Sequence, residues 1–232
     1  MTVAAIVAAA GRGRRLGPGA PKALRELAGV PMLVHAVRAM AAARLVDRIV
    51  VAVPPADVSA VRELLSSVGS KAPVVVAGGD DRQKSVGGAL AVLGPDVEVV
   101  LVHDAARPLA PSELADRVVR AVRDGAEAVV PVLPVADTVK RVAADGTVVE
   151  TLDRTALRAV QTPQGFVRTV LEAAHAAAAA GGGATDDAAL VERLGRRVRT
   201  VPGAEEAFKV TRPLDVLFAE VVLERRRASR VG

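Results

Sequence analysis

The chain of 232 residues contains no cysteine, and this absence excludes several kinds of chemistry. Disulfide bonds, thiol catalysis and a cysteine-based zinc site all require that residue. Histidine is also scarce: the three histidines are scattered along the chain, so we expect no histidine-rich metal site. The sequence likewise offers no Ser–His pair as a candidate nucleophile.

Aromatic residues are nearly absent, since the chain has three phenylalanines and neither tryptophan nor tyrosine. The core must therefore be built from alanine, valine and leucine, which the apolar fraction of 51% allows. Proteins that bind single strands stack bases on aromatic rings, so we expect no nucleic-acid partner. The net charge of +5 still attracts polyanions, and nucleotides and phosphosugars belong to that class.

No hydrophobic run reaches the length of a transmembrane span, so no membrane partner is expected. The N-terminus is apolar but lacks the basic segment that begins a signal peptide. Its apolar run leads directly into a glycine-rich loop, as a first core strand would. These features predict a cytoplasmic protein.

Short valine-rich runs alternate with longer amphipathic segments, which predicts an α/β fold with a mostly parallel sheet and helices on both faces. The length suits a single domain over residues 1–232. Strands are predicted at Val3–Ala8, Arg48–Val53, Val74–Val76, Val97–Val102, Ala128–Val132 and Arg197–Val201. Helices are predicted at Met32–Ala43, Ala56–Ser67, Arg82–Val92, Pro111–Arg123, Val167–Ala179 and Asp186–Leu194, with a last one after Pro213.

One segment breaks this alternation. Residues 137–153 read as two strands around Asp145-Gly146, and Asp-Gly is a strong signal for a hairpin turn. A hairpin inserted late in an α/β domain needs a surface to lie on. We therefore expect an extended β-arm at about residues 136–153, and a second subunit over which it reaches is one answer.

Glycines and cations coincide in the loop after the first predicted strand. Residues 11–17 hold three glycines and three arginines, and Lys22 follows. Glycine lets the backbone approach phosphate oxygens, and cations neutralise their charge. Leu16 stands where a dinucleotide-binding loop has its third glycine, and no Gly-Lys-Ser/Thr sequence follows. We interpret the loop as a cradle for a triphosphate; the alternative is a solvated basic turn.

Two further loops follow predicted strands, where ligands of parallel sheets bind. In residues 78–86, backbone groups and Ser85 are candidates for base recognition; alternatively, Asp80 is only a helix N-cap. In residues 103–108, Asp104 is a candidate ligand of a divalent metal or of a substrate hydroxyl, and Arg107 of a phosphate. The alternative is a structural Asp104–Arg107 pair that caps the next helix. His103 is interpreted as structural.

The C-terminal third of the chain holds weaker candidates. Arg154 follows the hairpin as a lone cation, and Thr162 lies in a segment that reads as a rigid turn. Residues 185–187 read as a helix N-cap. Lys209 lies within a strand-like run, where a lysine is unusual unless its ammonium meets an anion.

Together these segments resemble the 2-C-methyl-D-erythritol 4-phosphate cytidylyltransferase family. The resemblance spans nearly the whole chain and keeps the family's order. It rests on residues 8–17, 21–22, 78–82, 85–86, 103–108, 137–140, 153–154, 162–164, 185–186 and 208–213. It implies a Rossmann-like fold whose β-arm clasps a second subunit of a homodimer. It also implies magnesium-dependent transfer of CMP from CTP to methylerythritol phosphate, with release of pyrophosphate.

The resemblance also implies roles for individual residues. Arg15 and Lys22 would stabilise charge at the α-phosphorus, and Arg154 and Lys209 would hold the substrate phosphate. The nucleotide would be bound by Ala9, Ala10, Gly11, Gly13, Gly79, Asp80 and Ser85. The sugar phosphate would be bound by Asp104, Arg107, Thr138, Thr162 and Thr185. No residue is assigned as a metal ligand.

Two alternatives stay open from the sequence. Ribitol-5-phosphate cytidylyltransferases share much of the nucleotide site, and the first two loops do not separate the two substrates. A nucleotide-binding protein without turnover is the other alternative. Such a protein would need only the first pair of cations, whereas this chain has both Arg15/Lys22 and Arg154/Lys209.

Overall fold

The computed structural model describes residues 1–11, 21–68, 71–179 and 184–231. The side chains of the last two of these residues are not included. Arg15 and Gly13, two of the predicted site residues, lie outside the described residues. No helix within the described ranges is long and apolar enough to cross a membrane.

An eight-stranded, mostly parallel sheet forms the centre of the molecule. Its strands are β1 (Thr2–Ala8), β4 (Arg48–Val53), β5 (Val74–Ala77), β6 (Val97–Asp104), β7 (Ala128–Pro134), β10 (Arg158–Val160), β11 (Gln164–Val167) and β12 (Val198–Pro202). β1 lies between β4 and β6, and β5 pairs with β4, all in parallel. β11 pairs antiparallel with both β6 and β7. β7 also pairs with β10 in antiparallel and with β12 in parallel orientation.

Seven α-helices lie among the described residues. They are α1 (Met32–Ala42), α2 (Val58–Leu65), α3 (Arg82–Ala91), α4 (Ser112–Arg123), α5 (Arg168–Ala179), α6 (Asp187–Arg193) and α7 (Pro213–Val231). Successive side chains of β1 point to opposite faces of the sheet, and a separate hydrophobic core lies on each face. Val3, Ala5 and Val7 pack with α1, α2 and α4, whereas Ala4 and Ile6 pack with α3, α5 and α6. The prediction of helices on both faces is confirmed.

The structure differs from the predicted elements around residues 161–166. This segment was expected to be a rigid turn, but residues 164–167 form β11 between β6 and β7. Gly165 has no room for a side chain, because a Cβ there would clash with the Val118 side chain, and Leu101 and Val122 also lie 3.2 Å from its position. Phe166 is fully buried. Such a short strand is recognisable only from its neighbours.

A small hairpin projects from the sheet. It consists of β8 (Lys140–Val142) and β9 (Val148–Thr151), which pair with each other and not with the central sheet. Every residue of the two strands is exposed, valines included. The hairpin lies within the predicted β-arm. The other two strands, β2 (Glu26–Leu27) and β3 (Val30–Pro31), form a second minor sheet that the sequence did not predict.

Candidate active site

A cavity of about 350 Å³ opens at the carboxyl ends of β1 and β6. These two strands are in register there, with Ala8 beside Asp104, and the amide of Ala105 donates to the carbonyl of Ala8. We call it the Asp104 cavity. Eight residues predicted for the site line it: Ala9, Ala10, Gly11, Lys22, Asp80, Ser85, Asp104 and Lys209.

The loop before α3 is shaped by close packing. A side chain on Gly78 would place its Cβ 2.8 Å from Ser85 Oγ and 2.9 Å from Ala10 Cβ, so only glycine fits there. The Ser85 hydroxyl donates to the carbonyl of Asp81 at 2.7 Å and accepts from the amide of Gly79 at 3.1 Å. Ser85 thus holds the loop in place, and Gly79 does not line the cavity.

The residue that caps α3 is Asp81, not Asp80. The Asp81 carboxylate accepts from the amide of Lys84 at 2.7 Å. Asp80 is exposed and pairs with the Lys84 ammonium at 3.3 Å. The interpretation of Asp80 as the N-cap is therefore wrong. The Asp80 carboxylate lies at the rim of the cavity, where it is accessible to a ligand.

Asp104 is the central carboxylate of the cavity and lies between two cations. Its Oδ1 accepts from Arg82 Nε at 3.0 Å, and its Oδ2 accepts from Lys209 Nζ at 2.7 Å. Burial by itself would raise the pKa of Asp104. The charges of Arg82 and Lys209 and the hydrogen bonds they donate outweigh burial and hold this pKa well below its ordinary 3.8. Asp104 is therefore ionised at neutral pH.

Arg82 connects Asp104 to a second buried carboxylate. Its Nη1 donates to Asp187 Oδ2 at 2.6 Å, and the other oxygen of Asp187 pairs with His175 Nε2 at 2.9 Å. Burial would lower the pKa of Arg82, but the two aspartates raise it above its ordinary value. The chain of contacts runs from Lys209 through Asp104, Arg82 and Asp187 to His175. It ties the cavity to α3, α5 and α6.

Arg82 and Asp187 are site residues that sequence reasoning did not identify. Both lie in motifs that carried the family resemblance or adjoined it, but neither was given a role. No local pattern pairs them, because 105 positions separate them along the chain. A charged residue directly after a glycine-rich loop, as Arg82 is, was the available signal.

Asp104 and Arg107 do not form the structural pair considered as an alternative. The Arg107 guanidinium donates to the carbonyls of Ala207 at 2.7 Å and Val160 at 3.1 Å. It thereby joins the loop after β6 to two distant segments. Burial lowers the pKa of Arg107. Arg107 does not line the cavity, so a contact with substrate phosphate stays a prediction.

Thr162 and His103 lie beneath Asp104 as a buried hydrogen-bonded pair. The Thr162 hydroxyl accepts from the amide of Asp104 at 3.0 Å and lies 3.0 Å from His103 Nδ1. His103 Nε2 lies 3.2 Å from the carbonyl of Arg107. A neutral ring with its proton on Nε2 satisfies all three contacts. Burial lowers the pKa of His103 to about 4, and its contacts agree with the structural role expected for it.

Other predicted site residues lie away from the Asp104 cavity of their own chain. Thr138 and Arg154 are exposed at the base of the hairpin, and the Arg154 guanidinium donates to the carbonyl of Ala136. Thr185 is exposed and precedes Asp186, whose carboxylate caps α6 by accepting from the amide of Ala189 at 2.9 Å. The N-cap interpretation of this segment is confirmed, and the substrate roles of these residues stay predictions.

Lys209 does not lie in a strand. The segment after Ala207 is extended but has no strand partner; the amide of Val210 donates to the carbonyl of Ala106. The expectation of a strand is therefore wrong. The expectation that the ammonium meets an anion is confirmed, because Lys209 pairs with Asp104.

Comparison with known proteins identifies the family. Residues 3–225 match the family model described as 2-C-methyl-D-erythritol 4-phosphate cytidylyltransferase. The chain belongs to this family. A cytidylyltransferase of that name from Streptomyces avermitilis is 58% identical over 97% of this chain and 92% of its own length. Another from Frankia casuarinae is 59% identical over 96% of this chain and 82% of its own length.

Solved structures of this cytidylyltransferase family share the fold. The 4-diphosphocytidyl-2C-methyl-D-erythritol synthase of Anaerococcus prevotii superposes with a TM-score of 0.85 at 29% identity, covering 96% of both chains. The cytidylyltransferase of Thermus thermophilus superposes with a TM-score of 0.77 at 36% identity, covering 96% of this chain and 98% of its own. The predicted Rossmann-like sheet is thus confirmed.

The carboxylates of the cavity decide whether the magnesium ion that the resemblance implies could be held here. Within the described ranges, no three histidine, aspartate or glutamate side chains are grouped so that they could hold a metal. Both oxygens of Asp104 are engaged by buried or half-buried cations, whereas Asp80 is exposed at the rim and pairs with the Lys84 ammonium through one oxygen. Magnesium is commonly held by one or two carboxylates together with substrate phosphates and water. The donors present fit an ion that arrives with a triphosphate and contacts Asp80.

Proposed function

We propose that this protein transfers CMP from CTP to the phosphate of 2-C-methyl-D-erythritol 4-phosphate and releases pyrophosphate. One observation carries the proposal: cations from opposite ends of the chain, Lys22 and Lys209, line the same cavity as Asp104. Membership of the family indicates which two substrates these cations would bind. The relatives from Streptomyces avermitilis and Frankia casuarinae carry the name of this activity.

The reaction places particular demands on the site. A phosphate monoester is already a competent nucleophile, so no strong general base is required. The two substrates are both anions and repel each other, so cations are needed on both sides of the reacting phosphorus. Positioning of the two reactants contributes about 7–11 kcal/mol to lowering the barrier. Preorganised cations add electrostatic stabilisation of the transferred group.

The residues of the cavity divide these tasks. Lys22 lies beside the end of β1 and would stabilise negative charge that grows at the α-phosphorus, together with Arg15. Lys209 would bind the phosphate of the second substrate. Asp104 holds the Lys209 ammonium at 2.7 Å, which fixes its position before substrate arrives. Asp104 also offers its carboxylate to hydroxyls of the sugar.

Magnesium would be held by the triphosphate of CTP and by the Asp80 carboxylate. When bound, the ion neutralises phosphate charge and favours the departure of pyrophosphate. The protein's own contribution is to position the nucleotide. Backbone groups of residues 9–11 and the loop of Gly79 surround the place for it. The cytoplasmic location expected from the sequence stays a prediction.

We further propose a homodimer in which the hairpin completes the site of the other subunit. An isolated two-stranded hairpin is marginally stable in water and needs a packing surface. Val142, Val148 and Val149 are each more than half exposed on it. Arg154 and Thr138 lie at the base of this arm and outside the Asp104 cavity of their own chain. A second subunit would bury the valines and receive both residues.

A pyrophosphate-release assay tests the proposed reaction. CTP, UTP, ATP and GTP are each combined with methylerythritol 4-phosphate and with ribitol 5-phosphate, with magnesium or with a chelator. We expect release only with CTP, methylerythritol 4-phosphate and magnesium together. Equal rates with UTP would overturn the assignment, and a preference for ribitol 5-phosphate would replace the proposed substrate.

A further inference from the structure

A second concave surface lies apart from the Asp104 cavity. It is a groove of about 840 Å³ between α1, the segment of residues 108–113 and the last turns of α7. It is more than twice as large as the Asp104 cavity and shares no lining residue with it. We call it the basic groove, because four arginines and two glutamates line it.

Most of the positive charge in the basic groove has no counter-ion. In the described part of the chain, the side chains of Arg38, Arg225 and Arg227 make no hydrogen bond or ion pair. Arg226 pairs with Glu206, one of the two glutamates, and Glu113 is exposed at its edge. Two elements distant in sequence, α1 and α7, thus bring unpaired guanidinium groups to one concave surface.

A helix N-terminus adds to the positive potential of the groove, and a neighbouring histidine responds to that potential. The N-terminus of α4 opens into the groove, and its cap residue, Pro111, provides no side-chain acceptor for the first amides. His35 lines the groove as well. Burial lowers its pKa, and the charges of Arg38, Arg227 and Arg226 lower it further. That surrounding charge opposes a further cation and favours an anion.

The lining also indicates which class of anion fits. Each guanidinium can bind a phosphate group through two hydrogen bonds, and several guanidinium groups at one surface suit an anion with more than one negative charge. We propose that the basic groove binds a small anion that carries a phosphate or diphosphate group.

Contacts of Arg226 connect this groove to the Asp104 cavity. The Arg226 guanidinium donates to the carbonyl of Leu109 at 2.6 Å and to the carboxylate of Glu206. Leu109 follows Asp104 by five positions, and Glu206 precedes Lys209 by three. Arg226 thus links the groove to the two segments that carry Asp104 and Lys209.

Calorimetric titration with inorganic pyrophosphate tests the site without CTP. The test variant is Arg38→Gln/Arg225→Gln/Arg227→Gln. The control variant, Arg44→Gln/Arg62→Gln/Arg120→Gln, loses the same charge from exposed positions outside the groove. We expect the wild type and the control to bind pyrophosphate at two sites. The test variant should lose the second site or bind there about tenfold or more weakly.

Three results would overturn the proposal. The first is an unchanged number of sites and unchanged affinity in the test variant. The second is an equal loss in the control variant, which would indicate general charge attraction. The third is displacement of pyrophosphate by chloride at matched ionic strength as effectively as by inorganic phosphate. Thermal unfolding of each variant verifies folding, and failure of catalysis would not affect any of these readouts.

Discussion

At the scale of single residues, the Lys22 ammonium is expected to stabilise the transition state more strongly than the bound substrate. Lys22→Ala should lower kcat roughly a hundredfold, while KM for CTP changes much less, because negative charge on the transferred phosphoryl grows during reaction. Steady-state kinetics with CTP and methylerythritol 4-phosphate provide the measurement. Lys71→Ala is the matched control, since Lys71 Nζ donates to the carbonyl of Ala43 and does not line the Asp104 cavity.

A near-normal kcat with a raised KM in Lys22→Ala would assign Lys22 to ground-state binding. A similar loss in Lys71→Ala would point to a general effect on folding. The same comparison applies to Arg15→Ala, whose position in the sequence predicts the same phosphate role.

Burial of His103 makes stability depend on pH. Its pKa is about 4 in the fold against an ordinary value of 6.5, so between these values the unfolded chain binds a proton that the folded chain does not. The contribution of neutral His103 is therefore complete above pH 6.5 and is lost as the pH falls toward 4. The loss approaches about 3 kcal/mol.

Urea unfolding at pH 7 and pH 4.5 measures this dependence in the wild type and in His103→Gln. Contributions of the carboxylates cancel when the two proteins are compared at each pH. We expect the difference in unfolding free energy between them to shrink at the lower pH. An equal difference at both pH values would contradict the assignment of neutral His103.

At the scale of elements, Asp187 joins α6 to α3 through Arg82. Asp187→Ala should lower the unfolding free energy by about 3 kcal/mol, because it leaves a half-buried guanidinium short of a partner. It should also lower kcat/KM, since Arg82 then holds Asp104 less firmly. Asp96→Ala breaks the exposed Arg48–Asp96 pair and serves as the control, with a far smaller effect expected.

A double variant separates charge pairing from packing. Arg82→Met/Asp187→Leu removes both charges, and its stability should be closer to the wild type than the sum of the single changes implies. Additive losses would contradict the coupling. Restoration of kcat/KM in the double variant would show that the Arg82–Asp187 pair does not position Asp104.

At the scale of the whole molecule, the proposed exchange of hairpins predicts complementation. Arg154→Ala and Lys209→Ala chains should each be nearly inactive alone. If the arm crosses over, a mixed dimer collects both changes in one site and leaves the other intact. Its activity should then recover to about half of the wild-type value, because one of two symmetry-related sites is complete.

Subunit exchange must be demonstrated independently, for example with two differently tagged chains. Absence of recovery after proven exchange would mean that Arg154 serves its own subunit. Sedimentation that gives a monomer at working concentration would exclude the shared site sooner. As the control, each variant alone is taken through the same exchange procedure and should stay inactive.

The sequence by itself determined six of the eight strands of the central sheet, its helices and most of the cavity lining. Periods of two and 3.6 residues are local, and glycine and charge patterns at strand ends place a ligand without any knowledge of packing. Lys22 and Asp104 were chosen in this way, and Lys209 as an unusual lysine within a strand-like run. The sequence did not predict β2, β3, β10 and β11, because strands of a few residues are stabilised by their neighbours rather than by their own pattern.

Only the tertiary structure decided which charges meet. Asp104 pairs with Arg82 and Lys209 instead of nearby Arg107, because β6, α3 and the segment after residue 207 converge at one edge of the sheet. The basic groove likewise arises where α1 and α7 come together. The strength of an ion pair depends on the distance in space between its two charges. The number of residues between them along the chain does not determine that distance. Contacts between residues more than a hundred positions apart therefore follow from the fold and not from local pattern.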